Sequence, residues 1–370
     1  MAAEHDPQQM TRLTPLVEVR ARIDALVKPI APRRIAIAAA VGRVLAEDVV
    51  AGAAVPVSAR ALRDGFAVAA EALSDASSYT PVQLAPTQRV DAGESLPAGT
   101  DAVAPLDTVV ARDGRFAVIA PVAPGDGVLA ASGDVKAGAL LLRAGEIVRA
   151  TDVAAVAAAG IMEVAVREPR VCVAPARARH DPIIAAAVEL LASAAGAAGG
   201  MVHRAADGAA ALADMEADVI IVVGGTGAGR NDMSVRALAA AGKVEVRGVA
   251  LTPGETTAFG MMEQRPVLFV PGRLDAALAV WLTLGRHLVA RLTGGFGDVL
   301  GTLALLTRKH ASPLGLAEVV PVHQSGDQVE PIASGYWPLQ AIARANGWIL
   351  VPSDSEGYPA GAEVVVRALP

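Results

Sequence analysis

The sequence predicts a multidomain α/β protein. An elongated mixed α+β domain carries an inserted β-rich module, and a parallel α/β domain and a small C-terminal β-barrel follow. Three observations predict it. Residues 169–297 alternate strand-like and helix-like runs, the pattern of a parallel α/β domain. Residues 52–130 and 298–370 break into short β-type runs cut by Pro and Gly, as small β-rich modules do. Residues 133–168 resume the character of the first fifty, so the module between them reads as an insertion. The expected division is 1–51 with 131–168, then 52–130, 169–297 and 298–370, and 370 residues suffice for several domains.

Taken in order, residues 14–28 read as a helix, with Thr14 as N-cap, Pro15 in the first turn and Leu16, Val19, Ile23 and Leu26 on one face. A second helix is expected over 35–48. Residues 133–168 read as turn, strand, turn, strand, then a helix capped by Thr151 and stopped at Gly160, then a strand. The α/β domain follows as RVCVAP, a long Ala-rich helix, VIIVV, a helix, VEVRGVAL, VLFVPG and a last helix.

Composition narrows the function classes. The chain is 53% hydrophobic yet only 3% aromatic, and the small apolar side chains that fill the difference suit close helix–sheet packing. A net charge of −6 argues against a nucleic-acid partner. The single cysteine, Cys172, excludes a disulfide framework, fits a reducing compartment and is expected as a small buried strand residue. The start MAAEHDPQQM is polar and acidic, unlike a signal peptide, and no uninterrupted apolar run is long enough for a membrane span. A cytoplasmic protein is expected. His180 and His203 share no metal-ligand spacing, and His287, His310 and His323 are expected to be partly exposed. Trp281 fits a helix core, and Trp337 and Trp348 the C-terminal domain.

The chemistry concentrates at residues 217–242. The β-branched run Val219–Val223 breaks into Gly224, Gly225, Thr226, Gly227, Ala228 and Gly229, then Asn231, Asp232 and a helical stretch. Strand, glycine loop and helix present backbone N–H groups to a phosphate. The spacing is neither the dinucleotide G-x-G-x-x-G nor a Walker A loop, since no Gly-Lys-Ser/Thr follows. Two readings stand at this point: an anion loop with Asp232 at its rim, or a structural turn with Asp232 capping the helix. Pro253-Gly254 and Pro271-Gly272 also end strand-like runs, where open α/β sheets place their sites. Asp64-Gly65 fits either a site or a turn.

The segments RVLAEDVVAGAAVPV, ALRDGFAV, AGESLPAGTDAV, GGTGAGRND with LTPGETTAFG and FVPGRLDAALA, and ANGWILVPSDSEGYPAGAEVVV occur in an order that resembles the molybdopterin molybdenumtransferases, proteins similar to the E domain of gephyrin. The resemblance spans about residues 12 to 370 and identifies the chain as a divergent member. It implies a four-domain homodimer whose α/β domain binds molybdopterin. It also implies insertion of molybdate into adenylylated molybdopterin with Mg2+-dependent release of AMP. An anionic pterin is then the small-molecule partner, and a molybdoenzyme a possible protein partner.

Carried over residue by residue, the resemblance makes Asp232 and Asp64 the catalytic candidates. It makes Gly224, Gly225, Thr226, Gly227, Gly229, Asn231, Pro253, Gly254, Pro271, Gly272 and Arg273 the substrate-binding candidates. The metal ligands stay unassigned. Where the family reads Ser-Thr-Gly-Asp-Glu-Leu, this chain has Ala174-Pro175-Ala176-Arg177-Ala178-Arg179; its Lys-Pro-Gly-Lys-Pro becomes Thr252-Pro253-Gly254-Glu255-Thr256, and the loop serine becomes Gly227. Those exchanges remove the acidic pair and two cations, with Arg177, Arg179 and Arg273 as candidate replacements. They make a non-catalytic molybdopterin-binding paralogue, acting as a cofactor carrier or chaperone, the alternative to an active transferase.

Overall fold

A computed structural model describes residues 6–85, 88–112, 115–178, 181–229, 232–295 and 301–370. The chain divides into two compact units: residues 1–47, 144–150 and 163–370 form one, and residues 48–143 with 151–162 the other.

The larger unit holds a six-stranded sheet in the order Met201–Arg204, Arg170–Pro175, Val219–Val223, Arg265–Val270, Ala258–Met262, Lys243–Arg247. The first four strands pair in parallel and the last two pairings are antiparallel, so only Ala258–Met262 runs against the rest of the sheet. Val219–Val223 is buried throughout, as a central parallel strand covered on both faces must be. The Ala-rich helix Pro182–Ala197 packs on one face. Its N-cap Asp181 accepts from the N–H groups of Ile183 and Ile184, with Pro182 at the first helical position.

VEVRGVAL is not one strand. Gly248, at φ +87°, breaks it, and Val249–Thr252 leaves the sheet to pair in parallel with Ala317–Ser325. Thr302–Leu306, Ala317–Ser325, Gln328–Pro331, Gly347–Val351 and Glu363–Ala368 then close into a ring, because Ala317–Ser325 pairs with both Gln328–Pro331 and Gly347–Val351. The small C-terminal barrel is filled by Leu306, Val320, Val322, Val329, Ile349 and Val364.

Two helix expectations in the first fifty residues need correction. Thr14 and Pro15 pair as a short strand with Val249 and Ala250, and the helix runs Leu16–Leu26 without a side-chain cap. Leu16, Val19 and Ile23 are buried, whereas Leu26 is 38% exposed. Residues 35–48 form no α-helix. Arg33–Ala36 and Val44–Leu45 flank Glu163–Arg167 as antiparallel strands, with a short 3-10 turn at Ile37–Ala39. The alanines favour a helix, but tertiary pairing overrides that weak preference. The buried carboxylate of Glu168 fixes this corner by pairing with Arg33 and Arg43. The helix of Ala150–Ala158 starts one residue before Thr151 and does end near Gly160, which sits at φ +79°.

The smaller unit is built from short strands, including the antiparallel sets Gly65–Val68 with Arg89–Val90 and Ala102–Pro105, and Val109–Arg112 with Arg115–Val118 and Val82–Leu84. Its core gathers Phe66, Val68, Leu73, Ala102, Ala104 and Val118, with the Phe66 and Phe116 rings 5.0 Å apart. No helix of the described residues is long and apolar enough to cross a membrane.

Candidate functional site

Three loops meet at the carboxyl ends of the parallel strands. Because Val219–Val223 and Arg265–Val270 are neighbours, Gly224 and Gly272 lie against each other: a Cβ on Gly272 would sit 3.4 Å from the Gly224 Cα. Gly224 and Gly225 are left-handed, at φ +93° and +68°, and turn the chain sharply off the strand. A Cβ on Gly225 would lie 2.2 Å from Ser234 Oγ, so only glycine fits. The third loop, Pro253–Thr256, joins through its hydroxyl. Thr226 Oγ1 and Thr256 Oγ1 are 2.8 Å apart, and Thr226 is buried.

The loop amides fall into two groups. The Gly224 N–H donates to Val270 O at 2.8 Å, and the Gly229 N–H to Asp232 Oδ2 at 2.9 Å. Among the described residues, none accepts from the N–H groups of Gly225, Thr226, Gly227 or Ala228. Beside Gly225 opens a cavity of about 180 Å³ lined also by Ala176, Arg177, Gly208, Ser234 and Phe269. Backbone N–H groups without protein acceptors in a glycine loop at a strand end suit an oxyanion.

Asp232 folds back on this loop and is not the cap of the following helix, Ser234–Ala241. That helix is capped from far away in sequence. Gln8 Oε1 accepts from the N–H groups of Val235 (3.2 Å) and Arg236 (3.4 Å), while Gln8 Nε2 donates to Gly225 O (3.1 Å) and Gly227 O (2.8 Å). Gln8 is 3% exposed, and neighbouring Asp6 pairs with Arg236. Arg247 completes the clamp. Its guanidinium donates to Thr226 O (2.7 Å), Thr256 O (2.9 Å) and Gln8 O (2.8 Å). Burial pushes this guanidinium below the ordinary arginine range, and the Asp232 carboxylate partly offsets the shift. An arginine stays charged even so.

Sequence reasoning missed both Gln8 and Arg247. Their partners lie up to 239 positions away, and Arg247 simply continues the charged–valine alternation of Lys243–Arg247. Gly227 shows why the loop has no side chain there, since a Cβ would lie 2.7 Å from Asp232 Oδ2. Replacing Gly227 by serine is expected to displace Asp232 from the Gly229 amide at a cost of about 1 kcal/mol. Faster hydrogen exchange at Gly229 would register it.

The remaining candidates are placed as follows. Gly254, at φ +142°, donates its N–H to Glu255 Oε2 at 3.1 Å. Pro253 and Pro271 are buried at their strand ends. Arg273 is exposed and already engaged. It pairs with the buried carboxylate of Asp275 and lies 4.9 Å from the Tyr336 ring centroid. That pairing, weighed against partial burial, holds its guanidinium above the ordinary range and leaves little uncompensated charge for an anion. Arg177 lines the cavity; Asn231 and Arg179 lie outside the described residues. Asp64 belongs to the smaller unit, where its Oδ1 accepts from the Ala92 N–H at 2.8 Å, and Gly65 lets the strand approach Ala104. His310, expected to be partly exposed, is 5% exposed and bonded to Glu318.

Family models match almost end to end: the MoeA N-terminal region (domain I and II) over residues 14–160, a probable molybdopterin binding domain over 189–291, and the MoeA C-terminal region (domain IV) over 304–369. The chain belongs to the MoeA family. This MoeA-family chain is 28% identical to molybdopterin molybdenumtransferase 2 of Mycobacterium tuberculosis, over 90% of its own length and 94% of that protein's. It is 25% identical to a putative molybdopterin biosynthesis protein of Methanocaldococcus jannaschii, over 91% and 92%. The molybdopterin biosynthesis MoeA protein from Pyrococcus horikoshii superposes with a TM-score of 0.76 at 27% identity, covering 97% of this chain and all of that one. Molybdenum cofactor biosynthesis is therefore the process this MoeA-family chain serves, with molybdopterin and molybdate as the family's substrates.

Proposed function

We propose that this chain inserts molybdate into adenylylated molybdopterin with release of AMP, as a cytoplasmic homodimer, and that the glycine loop holds the anionic part of the pterin. One observation carries the reading: the amides of Gly225, Thr226, Gly227 and Ala228 have no protein acceptors among the described residues, and the first of them stands at a strand end beside a cavity. Arg247 and Gln8 hold the loop carbonyls, so the amides are fixed before a ligand arrives. Preorganised donors need no rearrangement to meet charge. The division into 1–51 with 131–168, 52–130, 169–297 and 298–370 is part of this proposal.

The Mg2+ that the resemblance implies does not fit the donor set around the loop. Among the described residues, Asp232 is turned onto the Gly229 amide, Glu255 accepts from the Gly254 amide, and the Arg170–Pro175 strand runs out into Ala176 and Arg177 without a carboxylate. Mg2+ requires oxygen ligands in near-octahedral array. What these residues supply is binding and orientation: amides toward the phosphate, Arg177 at the cavity wall, and Thr226 with Thr256 joining two loops.

The test uses purified protein, adenylylated molybdopterin and molybdate, with AMP followed by chromatography and binding by calorimetry. AMP release that falls at least tenfold in Gly225→Ala supports the reading. Tight pterin binding without AMP release would make the chain a carrier or chaperone for a molybdoenzyme. Absence of binding heat would remove the loop from the site altogether.

A further inference from the structure

On the face of the same sheet covered by the helix Gly208–Ala213, three side chains outside the glycine loop converge. Cys172 lies in the middle of Arg170–Pro175, and His203 is its register partner on the neighbouring parallel strand Met201–Arg204, so both point to one face. Asp214 follows the helix Gly208–Ala213, which packs on that face. The Sγ of Cys172, a ring nitrogen of His203 and a carboxylate oxygen of Asp214 all lie within 4.8 Å of one another. It is the one such grouping among the described residues. We propose that Cys172, His203 and Asp214 form a binding site for a borderline-soft divalent transition metal of the Zn2+ class.

The donor set discriminates between metals. Thiolate, imidazole and carboxylate suit Zn2+ and its neighbours, whereas Mg2+ and Ca2+ select oxygen alone. Three protein ligands leave one tetrahedral position for water.

The surroundings already orient the ligands. Asp214 Oδ1 accepts from the Glu216 N–H at 2.9 Å, which turns Oδ2 toward His203 Nε2, and Arg265 holds the Asp214 backbone carbonyl. Such outer contacts fix ligand geometry at metal centres. Access comes from the sheet edge, since the His203 side chain is 43% exposed and that of Asp214 20%, while Cys172 is fully buried. Binding converts the thiol to thiolate, and its proton passes to solvent.

A nucleophilic triad is the competing reading of the same three residues. It needs the imidazole between thiol and carboxylate. Here the carboxylate pairs with the imidazole and also faces the thiol. Burial and that carboxylate push the metal-free thiol up to about 11, which keeps it protonated and inert.

The experiment titrates the full chain, freed of metal by chelation, with CoCl2 and then with ZnCl2. The expected result is a thiolate-to-cobalt charge-transfer band with tetrahedral d–d bands, saturating at one ion per chain and bleached by Zn2+. Cys172→Ser is expected to abolish the charge-transfer band. His203→Gln, at a half-exposed position where folding is safe, is expected to weaken Co2+ binding on the order of tenfold or more. No charge-transfer band from the folded parent protein, or an undiminished band in Cys172→Ser, would overturn the proposal. Cobalt affinity unchanged in His203→Gln would do the same. The readout uses neither pterin nor AMP, so it stands apart from the fate of the glycine-loop reading.

Discussion

Replacing Glu318 by alanine is expected to cost about 3–5 kcal/mol, the range for breaking a buried charged network by removing one partner. Glu318 is fully buried where the C-terminal barrel meets the rest of the larger unit. Its carboxylate accepts from His310 Nε2 (3.1 Å), Ser334 Oγ (2.7 Å) and the Gly335 N–H (2.9 Å). Burial by itself would raise this carboxyl, yet those donors outweigh it and hold Glu318 below the ordinary carboxylate range.

The sign of the pH effect follows. A depressed folded value means that the stabilisation is complete above the unfolded carboxylate value, about 4.3. It is lost as pH falls through the folded one. Melting curves taken between neutral and strongly acidic pH should therefore show an acid limb that Glu318→Gln flattens. Glutamine keeps an acceptor but has no proton to gain. An unchanged acid limb would show that other carboxylates govern it.

Substituting leucine for Arg247 is the second large effect expected, about 3 kcal/mol of stability, with loss of pterin binding. The guanidinium serves three carbonyls from three separate segments, at Gln8, Thr226 and Thr256, and each would be left without that donor in a largely buried setting. A buried group deprived of its partner costs about 1–3 kcal/mol. The milder Gln8→Ala removes the helix cap and two loop contacts but leaves Arg247 in place. Chemical denaturation gives the stability change and calorimetry the binding change. Full pterin affinity in a folded Arg247→Leu protein would show that the clamp does not shape the ligand loop.

How much of this was legible in the sequence depends on the range of the interactions. Val219–Val223 announced itself because a continuous β-branched run followed by glycines leaves few alternatives, and the Pro- and Gly-cut strands of the last seventy residues did close into a barrel. Residues 35–48 read as a helix because alanine tolerates either structure, and the decision lies with a partner strand more than a hundred positions away. VEVRGVAL reads as a single run, yet Gly248 within it marks the break, as a glycine inside a strand pattern does.

The glycine loop was legible as local chemistry. The side chains that hold it were not, because nothing near Gln8 or Arg247 in the sequence signals their partners. Cys172 and His203 likewise carry no joint signal in the sequence. Their adjacency depends on the register of two parallel strands, which no spacing along the chain encodes.

The amide of Gln8 links an amino-terminal segment to the turn that precedes the Ser234 helix. Coupling of that kind runs in both directions: whatever tightens the turn must also tighten the tether, and by the same free energy. Slower hydrogen exchange at the Val235 amide, which Gln8 caps, thus becomes a gauge of occupancy. A substitution at Gln8 acts at a distance, altering affinity without touching the ligand.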